Sequence, residues 1–527
     1  MAGAVARLAE ERPRDAAYWT DSLRLSWAGY HAGARALARL WVELGLAPGE
    51  RVAVLLPDGP GVHVAFTASE WAGLVAVGIG ARSGWREVEH LLRRSGATAL
   101  LSLAEHQDRG TRQGVAEMRA AGLPLRHHVI ALGEPGLACR YRVNGEEREA
   151  PLPGTAHDDA LDARALGAGD LWLLNATSGT TGLPKCVQHD QARWLAFHEL
   201  AIEAGELSSD DVFLSAVPAP FGFGLWTAHV TPTLLGAPTV VLPHFSPEKA
   251  IAAVEAHGVS VMAAVSTQFI QMLESPALDG TDLSSLRVLF TGGEAVPFER
   301  AAQFELRTGA KVLQFYGSNE TGAVSRTTLR DTREQRLRTS GRPVPAMQVR
   351  LFDTEGHDVT DGGRGQPGCK GPTLSRGYWD DAAANATLWR NDGWMMLGDI
   401  VEIDDEGFLS VIGRTDDFII RGGKNVSALA VEEAVASHPA VALAAAVAMP
   451  DPVFGEKVCA FVELRAGGWL DLQHLRAHLV AQQVSKEVWP ERLEIMEALP
   501  RGSGGKVAKR QLRDEIARKL EAEQLRA

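Results

Sequence analysis

The sequence predicts an α/β protein with a large N-terminal domain of doubly wound sheets, a small β-barrel-like unit, and a small α+β C-terminal domain. Short apolar runs alternate with helical patterns up to about Tyr316, as in parallel sheets covered by helices. From about Thr339, short strands rich in Gly and Asp (VRLFD, GFLSVIG) indicate an antiparallel or barrel-like unit. Beyond Arg414 the composition changes again. We therefore place the domains at residues 1–415 and 416–527.

The length and charge of the chain exclude several classes of protein. At 527 residues it is too long for one hydrophobic core, and a net charge of −13 argues against nucleic-acid partners and polybasic membrane surfaces. The N-terminus is charged and lacks the apolar core of a signal peptide. The longest apolar run, residues 440–449, is about half of a membrane span. Four scattered cysteines predict neither disulfides nor a zinc site, and hence a cytoplasmic location: Cys139, Cys186, Cys369 and Cys459.

The pattern of the first part of the N-terminal domain predicts alternating helices and strands. Residues 26–46 form an amphipathic helical pattern with Leu37, Leu40 and Trp41 on one face, and Pro48-Gly49 ends it. Further helices are expected at 63–74 and 85–95, and strands at 51–57, 75–79 and 97–102. The segment 104–170 is polar and rich in Gly, Pro, Arg and Glu, and we interpret it as irregular excursions plus a connector.

The alternation then resumes with polar loops after several strands. The expected strands are 212–217, 238–242, 259–264, 287–291 and 311–316, with helices at 191–204 and 247–257. The C-terminal domain is expected to contain helices 431–437 and 470–483 and strands 441–449 and 457–464. Ligands of open α/β sheets bind beyond the carboxyl ends of strands. Polar or Gly-rich loops follow Asn175, Thr291 and Tyr316, so one cleft could gather all three.

The loop of residues 171–187 (LWLLNATSGTTGLPKCV) is the strongest local signal. An apolar run leads into hydroxyl residues and glycines, whose N–H and O–H groups can approach anionic oxygens, and Lys185 adds a positive charge. The spacing is G-x-x-G-x-x-K, which is not the G-x-x-x-x-G-K-[ST] of a Walker A loop. A polyphosphate cradle and a Ser/Thr-rich surface turn both remain open on this loop alone.

Taken together, the motifs resemble those of the adenylate-forming superfamily of acyl-CoA synthetases, adenylation domains and beetle luciferases. TSGTTGLPK, YGSNE, the pair Gly398-Asp399, GRTDD and PRGSGGK occur in that order over essentially the whole chain. The resemblance implies two steps: a carboxylate displaces pyrophosphate from ATP to form an acyl-adenylate, and a thiol, usually that of CoA, then displaces AMP. It also implies that the C-terminal domain is mobile and rotates between the steps.

The resemblance assigns a role to each motif. The ATP- and AMP-binding residues would be Thr177, Ser178, Gly179, Thr180, Thr181, Gly182, Lys185, Gly292, Gly293, Glu294, Tyr316, Gly317, Ser318, Asn319, Glu320, Thr321, Asp399, Arg414 and Lys506. Glu320 would ligate Mg²⁺, a hard ion that takes oxygen ligands, and Lys506 would bridge the carboxylate and the α-phosphate during adenylation. Tyr316 would stack on adenine and Asp399 would accept from the ribose hydroxyls. Asp416 matches the hinge, and Gly422 and Gly423 match a loop lining the pantetheine tunnel.

Each of these residues also has a plain structural interpretation. Glu320 could complement a helix dipole, Asp399 could serve a turn, and Lys506 could be solvated surface. Four residues depart from the family pattern: Cys186 stands where Gly is usual, Asn319 and Leu397 where Thr is usual, and Ala430 where Glu is common. None of them removes an essential charge, so we expect an active enzyme.

The acyl pocket is expected around the segment PFGFG. Its predicted residues are Phe221, Gly222, Phe223, Trp226 and Gln268, although aromatic residues of this kind could equally be plain core. Because no Lys or Arg lies among them, a second charge on the substrate is unfavourable. The segments GIGARSGWREVEHLL and YGSNE resemble cyclohexanecarboxylate-CoA ligases and ligases of related alicyclic or aromatic acids.

The sequence therefore predicts an ATP- and Mg²⁺-dependent acid–CoA ligase acting on an alicyclic, aromatic or medium-chain carboxylic acid. Its partners would be the acid, ATP and coenzyme A, with no nucleic acid and no membrane span. Two alternatives remain: an acyl-AMP ligase that delivers to a carrier-protein thiol, and a nucleotide-binding regulatory protein without catalysis. Whether the protein is a monomer or a homodimer is left open.

Overall fold

A computed structural model describes most of the chain. The described residues are 1–107, 109–133, 140–149, 159–177, 184–294, 296–414, 417–421, 424–453, 455–502 and 506–524. Of the predicted site residues, Ser178, Gly179, Thr180, Thr181, Gly182, Asp416, Gly422 and Gly423 lie outside this set. Their assigned roles stay predictions.

Strands and helices are numbered in chain order. The strands are β1 Ala16–Trp19, β2 Arg24–Ser26, β3 Arg51–Leu55, β4 Val75–Gly78, β5 Ala99–Ser102, β6 Glu105–His106, β7 Arg109–Gly110, β8 His127–Ala131, β9 Arg140–Val143, β10 Glu146–Glu149, β11 Leu173–Ala176, β12 Cys186–His189, β13 Phe213–Ser215, β14 Thr239–Val241, β15 Val261–Ala263, β16 Val288–Gly292, β17 Lys311–Ser318, β18 Gly322–Arg326, β19 Arg342–Pro343, β20 Gln348–Phe352, β21 Arg364–Lys370, β22 Met395–Met396, β23 Asp399–Ile403, β24 Leu409–Arg414, β25 Phe418–Arg421, β26 Lys424–Ser427, β27 Val441–Asp451, β28 Gly455–Leu464 and β29 Arg492–Ile495. The helices are α1 Ala2–Glu11, α2 Trp27–Glu43, α3 Pro60–Trp71, α4 Trp85–Ser95, α5 Thr111–Ala120, α6 Asp159–Asp162, α7 Gln191–Gly205, α8 Gly222–Gly224, α9 Thr231–Leu235, α10 Pro247–His257, α11 Ser266–Glu274, α12 Phe298–Thr308, α13 Arg333–Arg338, α14 Ala382–Leu388, α15 Ala428–Ala436, α16 Leu472–Ala481 and α17 Lys509–Gln524. A π-helical turn, Leu225–Val230, joins α8 to α9.

Two large sheets form the N-terminal domain, as the alternating pattern predicted. The first has the order β19-β18-β17-β16-β15-β13-β14-β1-β2, and its strands β17, β16, β15, β13, β14 and β1 run parallel. The second has the order β10-β9-β8-β5-β3-β4-β11-β12, with a parallel centre from β8 to β11. The helices between the strands cover these sheets, and the fold class is confirmed.

Local sequence explains where the helices begin and end. The predicted helix at 26–46 is α2, whose N-cap Ser26 accepts a hydrogen bond from the backbone N–H of Gly29. Its predicted apolar face is buried, with Leu37, Leu40 and Trp41 at most 1% exposed. The predicted helix at 85–95 is α4, and Gly96 ends it in a left-handed conformation.

The interpretation of residues 104–170 as irregular was wrong. This segment contains helix α5 and strands β8, β9 and β10, which extend the second sheet at its edge. Strand β8 pairs parallel with β5, and Val129 to Ala131 are buried in it. The apolar run of β8, residues 129–132, is only four residues long and follows two histidines. Its local pattern therefore did not predict a strand, and its pairing with β5 in the folded sheet makes it one. Strand β12 was also missed: it pairs antiparallel with β11, directly after the phosphate-loop motif, the segment TSGTTGLPK of residues 177–185.

The remaining strands form two smaller sheets. The predicted barrel-like unit is an antiparallel sheet of order β20-β21-β23-β24, with β22 paired to β21. The C-terminal domain has the order β26-β25-β28-β27, with β29 paired parallel to β28, and α15, α16 and α17 pack around it. Within the described residues, no helix combines the length and the apolar character that a bilayer crossing requires.

Candidate active site

Polar side chains at the ends of β11 and β17 meet across the two large sheets. Asn175, in β11, donates from Nδ2 to the backbone O of Pro220 at 2.9 Å and to Asn319 Oδ1 at 3.2 Å. Asn319 Nδ2 donates back to Asn175 Oδ1 at 2.7 Å. The loop after β11, the loop after β17 and the PFGFG segment are therefore neighbours, as the position of loops at strand ends predicted.

The phosphate-loop motif is the connection of a β-hairpin. Thr177 N–H donates to the carbonyl of Lys185 at 2.9 Å, and Lys185 N–H donates to Thr177 Oγ1 at 3.1 Å, so the two residues close the base of the loop. Lys185 is exposed. Cys186, which replaces the usual Gly, is 1% exposed and packs among apolar side chains, and burial raises the pKa of its thiol to about 12. This substitution therefore changes the core beneath the loop and adds no polar group to it.

Glu320 lies in the tight turn of the β17–β18 hairpin. The turn is fixed by Ser318, whose Oγ accepts from the N–H groups of Glu320 and Thr321, and by Thr321, whose Oγ1 accepts from Ser318 N–H at 2.9 Å. A side chain on Gly317 would place its Cβ 1.8 Å from the carbonyl O of Gly322, so only glycine fits there. The interpretation of Glu320 as a residue of a helix first turn is wrong, because the residue lies in a strand-to-strand turn.

Tyr378 connects Glu320 to the phosphate loop and was missed in the sequence. Its hydroxyl donates to Glu320 Oε1 at 2.7 Å, and the Nζ of Lys185 lies 4.8 Å from the centre of its ring. Burial and the neighbouring Glu320 carboxylate raise its pKa, so the hydroxyl stays protonated. Residues 378 and 320 are 58 positions apart, and the only local sign was an aromatic residue after a glycine in SRGYW.

The predicted ribose-binding residues form a second cluster. Asp399 and Arg414 are paired across β23 and β24, with Arg414 Nε 3.4 Å from Asp399 Oδ1. The Tyr316 hydroxyl donates to Asp399 Oδ2 at 2.8 Å, and its ring is 8% exposed. Burial raises the pKa of Asp399, and the charge of Arg414 opposes this. The turn interpretation of Asp399 is wrong, since the residue begins a strand.

Lys506, from the C-terminal domain, reaches this cluster. Its Nζ donates to the backbone O of Gly293 at 2.5 Å, beyond the end of β16. Desolvation lowers its pKa, Glu294 opposes this, and Arg414, Asp399 and Glu320 also contribute to its electrostatic surroundings. Desolvation raises the pKa of Glu294, which Lys506 and the N–H groups of Ser266 and Thr267 oppose. Lys506 is half-buried and bonded to a backbone carbonyl beyond the end of β16, so it is not a freely solvated surface lysine.

Other contacts also join the C-terminal domain to the N-terminal domain. Ser427 Oγ donates to the backbone O of Ile412 at 2.6 Å. The Arg465 guanidinium lies 3.6 Å from a Glu274 carboxylate oxygen, and Arg300 binds the same carboxylate. With the Lys506 contact, these interactions hold the two domains in the arrangement that places Lys506 at the site.

The predicted acyl-pocket residues differ in their surroundings. Phe221 and Phe223 are half-buried, and a Cβ on Gly222 would lie 3.5 Å from Asn319 Oδ1 and 3.6 Å from the Trp194 ring. Trp226 is 1% exposed within a cluster of aromatic rings formed with Phe197, Phe223, Phe290 and Phe315. Gln268 accepts from Val265 N–H and donates to the Ala216 carbonyl, which shapes the start of α11. Their roles toward an acyl group stay predictions.

A buried polar network supports the loop before Phe221, and the sequence did not reveal it. His189 Nε2 lies 2.7 Å from Asn175 Oδ1, and Arg193 Nη1 lies 2.7 Å from His189 Nδ1, so the neutral ring donates from Nε2 and accepts at Nδ1. Burial and Arg193 lower the pKa of His189 well below its usual value. The Arg193 guanidinium also donates to the carbonyls of Thr373 and Asn319. The Arg193 guanidinium is therefore engaged by His189 and by backbone carbonyls.

The residues present fit a nucleotide-bound magnesium ion. Glu320 supplies a hard carboxylate oxygen, and within the described residues no hydrogen bond reaches its Oε2. The described residues contain no group of three or more His, Cys, Asp or Glu that could hold a metal by themselves. Mg²⁺ commonly binds through one or two carboxylates and substrate phosphates, so this donor set agrees with such an ion.

Two family matches cover most of the chain. A family described as AMP-binding enzyme matches residues 5–379, and one described as AMP-binding enzyme C-terminal domain matches residues 430–506. The first match alone spans more than half of the 527 residues.

Individual relatives match over nearly their whole length. A salicylyl-CoA synthase / salicylate adenylyltransferase of a Streptomyces species is 32% identical over 95% of this chain and 90% of its own. A salicyl-AMP ligase / salicyl-S-ArCP synthetase of Mycobacterium tuberculosis is 32% identical over 93% of this chain and 87% of its own. The crystal structure of ATP-bound MatB from Rhodopseudomonas palustris is 25% identical, with a TM-score of 0.82 over 98% of both chains.

Proposed function

The chain belongs to the AMP-binding enzyme family and is an adenylate-forming ligase, and on this premise we propose that it is an ATP-dependent acid–CoA ligase. It would convert an aromatic, alicyclic or medium-chain carboxylic acid to an acyl-adenylate and then transfer the acyl group to the thiol of coenzyme A. The observation that carries this proposal is the position of Lys506. It donates to Gly293 O and shares its electrostatic surroundings with Glu320, Asp399 and Arg414.

The first step joins two anions and therefore needs a cation between them. A carboxylate oxygen forms a bond to the α-phosphorus of ATP, and the bond from that phosphorus to pyrophosphate breaks. Lys506 would stabilise the charge on both reacting groups, and Asp399 would fix the ribose. Glu320 would hold the magnesium ion, which neutralises phosphate charge when bound. Lys185 would contact the leaving pyrophosphate.

The second step uses a thiol in place of the carboxylate. The sulfur bonds to the acyl carbonyl carbon, the bond from that carbon to the AMP oxygen breaks, and the thiol proton leaves to solvent. Lys506 occupies the site in the present domain arrangement, which matches the first step. Rotation of the C-terminal domain would withdraw Lys506 and bring Gly422 and Gly423 to the thiol path.

The aromatic cluster behind PFGFG supports an apolar monocarboxylate as substrate. Trp226 and the rings of Phe197, Phe290 and Phe315 are buried, and the Arg193 guanidinium is occupied by hydrogen bonds to His189 and to backbone carbonyls. Because none of the predicted acyl-pocket residues is Lys or Arg, a second carboxylate on the substrate would lack a counter-ion among them. The printed names of two relatives, both concerned with salicylate, support an aromatic acid.

The next part of the proposal is the identity of the thiol that accepts the acyl group. One relative is named as a CoA synthase and another as a ligase to an aryl carrier protein, so the family contains both acceptors. We propose coenzyme A, with delivery to a carrier-protein thiol as the second candidate function.

One assay tests the function and separates the candidates. Purified protein is incubated with Mg²⁺, ATP and a panel of benzoates, cyclohexanecarboxylates and straight-chain acids, and pyrophosphate is measured with and without coenzyme A. We expect sustained turnover only with coenzyme A and an apolar monocarboxylate. A single burst that coenzyme A does not extend would favour the carrier-protein ligase. Failure of every acid to release pyrophosphate would contradict the proposal.

The domain boundary is proposed to lie between Arg414 and Asp417. Arg414 is bound to Asp399 in the N-terminal domain, whereas Asp417 lies 3.4 Å from both Lys509 and Arg513 of α17. These contacts assign the two flanking residues to different domains, which supports a boundary at 415/416 and a hinge at Asp416.

Replacing Asp416 by proline should separate the two steps. Proline fixes φ near −65°, so we expect Asp416→Pro to retain adenylation but to slow thioester formation at least about tenfold. Pyrophosphate release in a single turnover measures the first step, and thioester formation from supplied acyl-adenylate measures the second. Asp416→Ala, which leaves φ free, is the control. Equal second-step rates for the two variants would argue against a hinge at this position.

A further inference from the structure

Tyr378 touches both polar ends of the predicted pyrophosphate and metal region. Its hydroxyl donates to Glu320 Oε1 at 2.7 Å, while Lys185 Nζ lies over its ring at 4.8 Å from the centre. Within the described residues, Lys185 and Glu320 form no direct ion pair within 4 Å. The tyrosine thus separates a cation and an anion that could otherwise neutralise each other.

The backbone around Tyr378 is held rigidly. Asn385 Oδ1 accepts from Tyr378 N–H and Asn385 Nδ2 donates to Tyr378 O, both at 2.8 Å. A Cβ on Gly377, where φ is +88°, would lie 2.5 Å from Asn385 Oδ1, so glycine is needed for this clamp. Three backbone bonds then attach the segment to β12: Gln188 N–H donates to Gly377 O, Arg376 N–H donates to Gln188 O, and Trp379 N–H donates to Cys186 O. Tyr378 is therefore fixed to the strand that follows the phosphate loop.

Glu320 is fixed to the same segment from the other side. Ser375 N–H donates to the backbone O of Glu320 at 2.7 Å. The phosphate-loop hairpin, the Glu320 turn and the segment 375–379 consequently form one bonded unit. The Tyr378 ring is 9% exposed, which leaves its hydroxyl and its face to the two charged groups.

We propose that Tyr378 is a positioning residue: its hydroxyl orients the Glu320 carboxylate, and its ring keeps Lys185 from pairing with that carboxylate. This inference rests on the proposed function, because it concerns the side chains that would hold the nucleotide phosphates and their magnesium ion. In a hydrogen bond to a carboxylate, one oxygen is occupied and the orientation of the other is set. A cation over an aromatic face is held without charge neutralisation and remains able to bind an anion.

The test compares nucleotide binding with and without magnesium by calorimetry. Tyr378→Phe keeps the ring and removes the hydroxyl, so we expect the Kd for ATP with Mg²⁺ to rise about five- to tenfold while the Kd for ATP in EDTA is unchanged. Tyr378→Leu also removes the ring and should weaken binding in both conditions. In Tyr378→Phe, the Mg²⁺ concentration that gives half-maximal turnover should rise by a larger factor than kcat falls.

Two further variants keep the inference falsifiable. In a Glu320→Gln background, Tyr378→Phe should cause no additional Mg²⁺-specific loss, because the tyrosine acts through that carboxylate. Glu320→Asp retracts the carboxylate from the hydroxyl and should reproduce the Mg²⁺-specific loss even if Tyr378→Phe is too unstable to assay. Tyr30→Phe is the matched control, since it removes another buried hydroxyl, bonded to Thr67 at 2.8 Å.

The outcomes separate this inference from the proposed function. Wild-type protein that binds no ATP would contradict the proposed function itself. Wild-type protein that binds ATP, with a Tyr378→Phe variant that binds it equally well with Mg²⁺, would overturn only the role of Tyr378. Equal losses with Mg²⁺ and in EDTA would likewise overturn it, because a merely structural residue would produce that result.

Discussion

Lys506→Ala should lose adenylation by about 10²- to 10³-fold while still converting a supplied acyl-adenylate to thioester, because a positioned charge at an anionic transition state has effects of this size. The physical reason is the environment of Lys506. Its side chain is half-buried, its Nζ donates to Gly293 O, and Glu294, Asp399 and Glu320 lie close enough to interact with its charge. In the proposed mechanism, removing it would leave the reacting carboxylate and the α-phosphate without a cation between them. The second step attacks a neutral carbonyl carbon and does not need this charge.

The half-reactions are measured separately. Pyrophosphate release in a single turnover reports adenylation, and thioester formation from synthetic acyl-adenylate and coenzyme A reports the second step. Lys486→Ala is the control, since Lys486 belongs to the same domain and its Nζ lies over the Trp489 ring, 5.8 Å from its centre. Equal damage to both half-reactions would show that Lys506 supports the structure and would remove it from the chemistry.

The candidate site was predictable from sequence where its residues occur in motifs. Lys185, Glu320, Asp399, Arg414 and Lys506 each lie in a short segment of recognisable spacing, and the fold brings the last four together as expected. The supporting residues were not predictable. Tyr378 is separated from its partner Glu320 by 58 positions, and Asn175 from Asn319 by 144. Such bonds depend on the meeting of two sheets, which no local pattern encodes.

The secondary structure, too, was predictable only where the local sequence pattern is clear. Helix α2 and strands β27 and β28 were predicted because their apolar residues follow a clear period. Strand β8 was missed because its pairing with β5, and not its short sequence, stabilises it. The hairpin of β11 and β12 was read as a strand followed by a helix, since the four residues of β12 lie between a Gly-rich loop and a strong helical pattern.

The second prediction with a large expected effect concerns Asp58 and the stability of the protein, not its activity. It is 7% exposed and accepts hydrogen bonds from the N–H groups of Ala219, at 3.2 Å, and Gly59. It thereby fixes the loop that leads to Phe221. Burial raises its pKa to about 7, and no cation contributes to this value, although the buried Tyr18 lies close enough to interact with it.

The sign of the effect follows from proton binding. The pKa of Asp58 is higher in the folded state than the ordinary value of 3.8, so the folded protein binds the proton more tightly. The free energy of unfolding therefore falls as the pH rises from about 4 to about 7, by at most about 4 kcal/mol at 1.36 kcal/mol per unit. His63, buried in the following helix with a pKa lowered to about 3, acts in the opposite direction, because its stability contribution is lost as the pH falls below 6.5. Between about pH 4 and pH 6.5, the contribution of His63 therefore opposes that of Asp58.

Asp58→Asn should reveal how much Asp58 contributes to the pH dependence of the free energy of unfolding. The amide stays neutral and its oxygen can still accept from Ala219 N–H, so the stability of the variant relative to wild type should increase by up to about 4 kcal/mol between pH 4 and pH 7.5. Urea unfolding followed by tryptophan fluorescence at several pH values measures this difference, and Asp210→Asn, at an exposed position, is the control. Parallel pH profiles for wild type and Asp58→Asn would mean that Asp58 is ionised at little cost in the folded protein. A rising difference would instead show that the loop before Phe221 is held by a carboxylic acid that titrates near neutral pH.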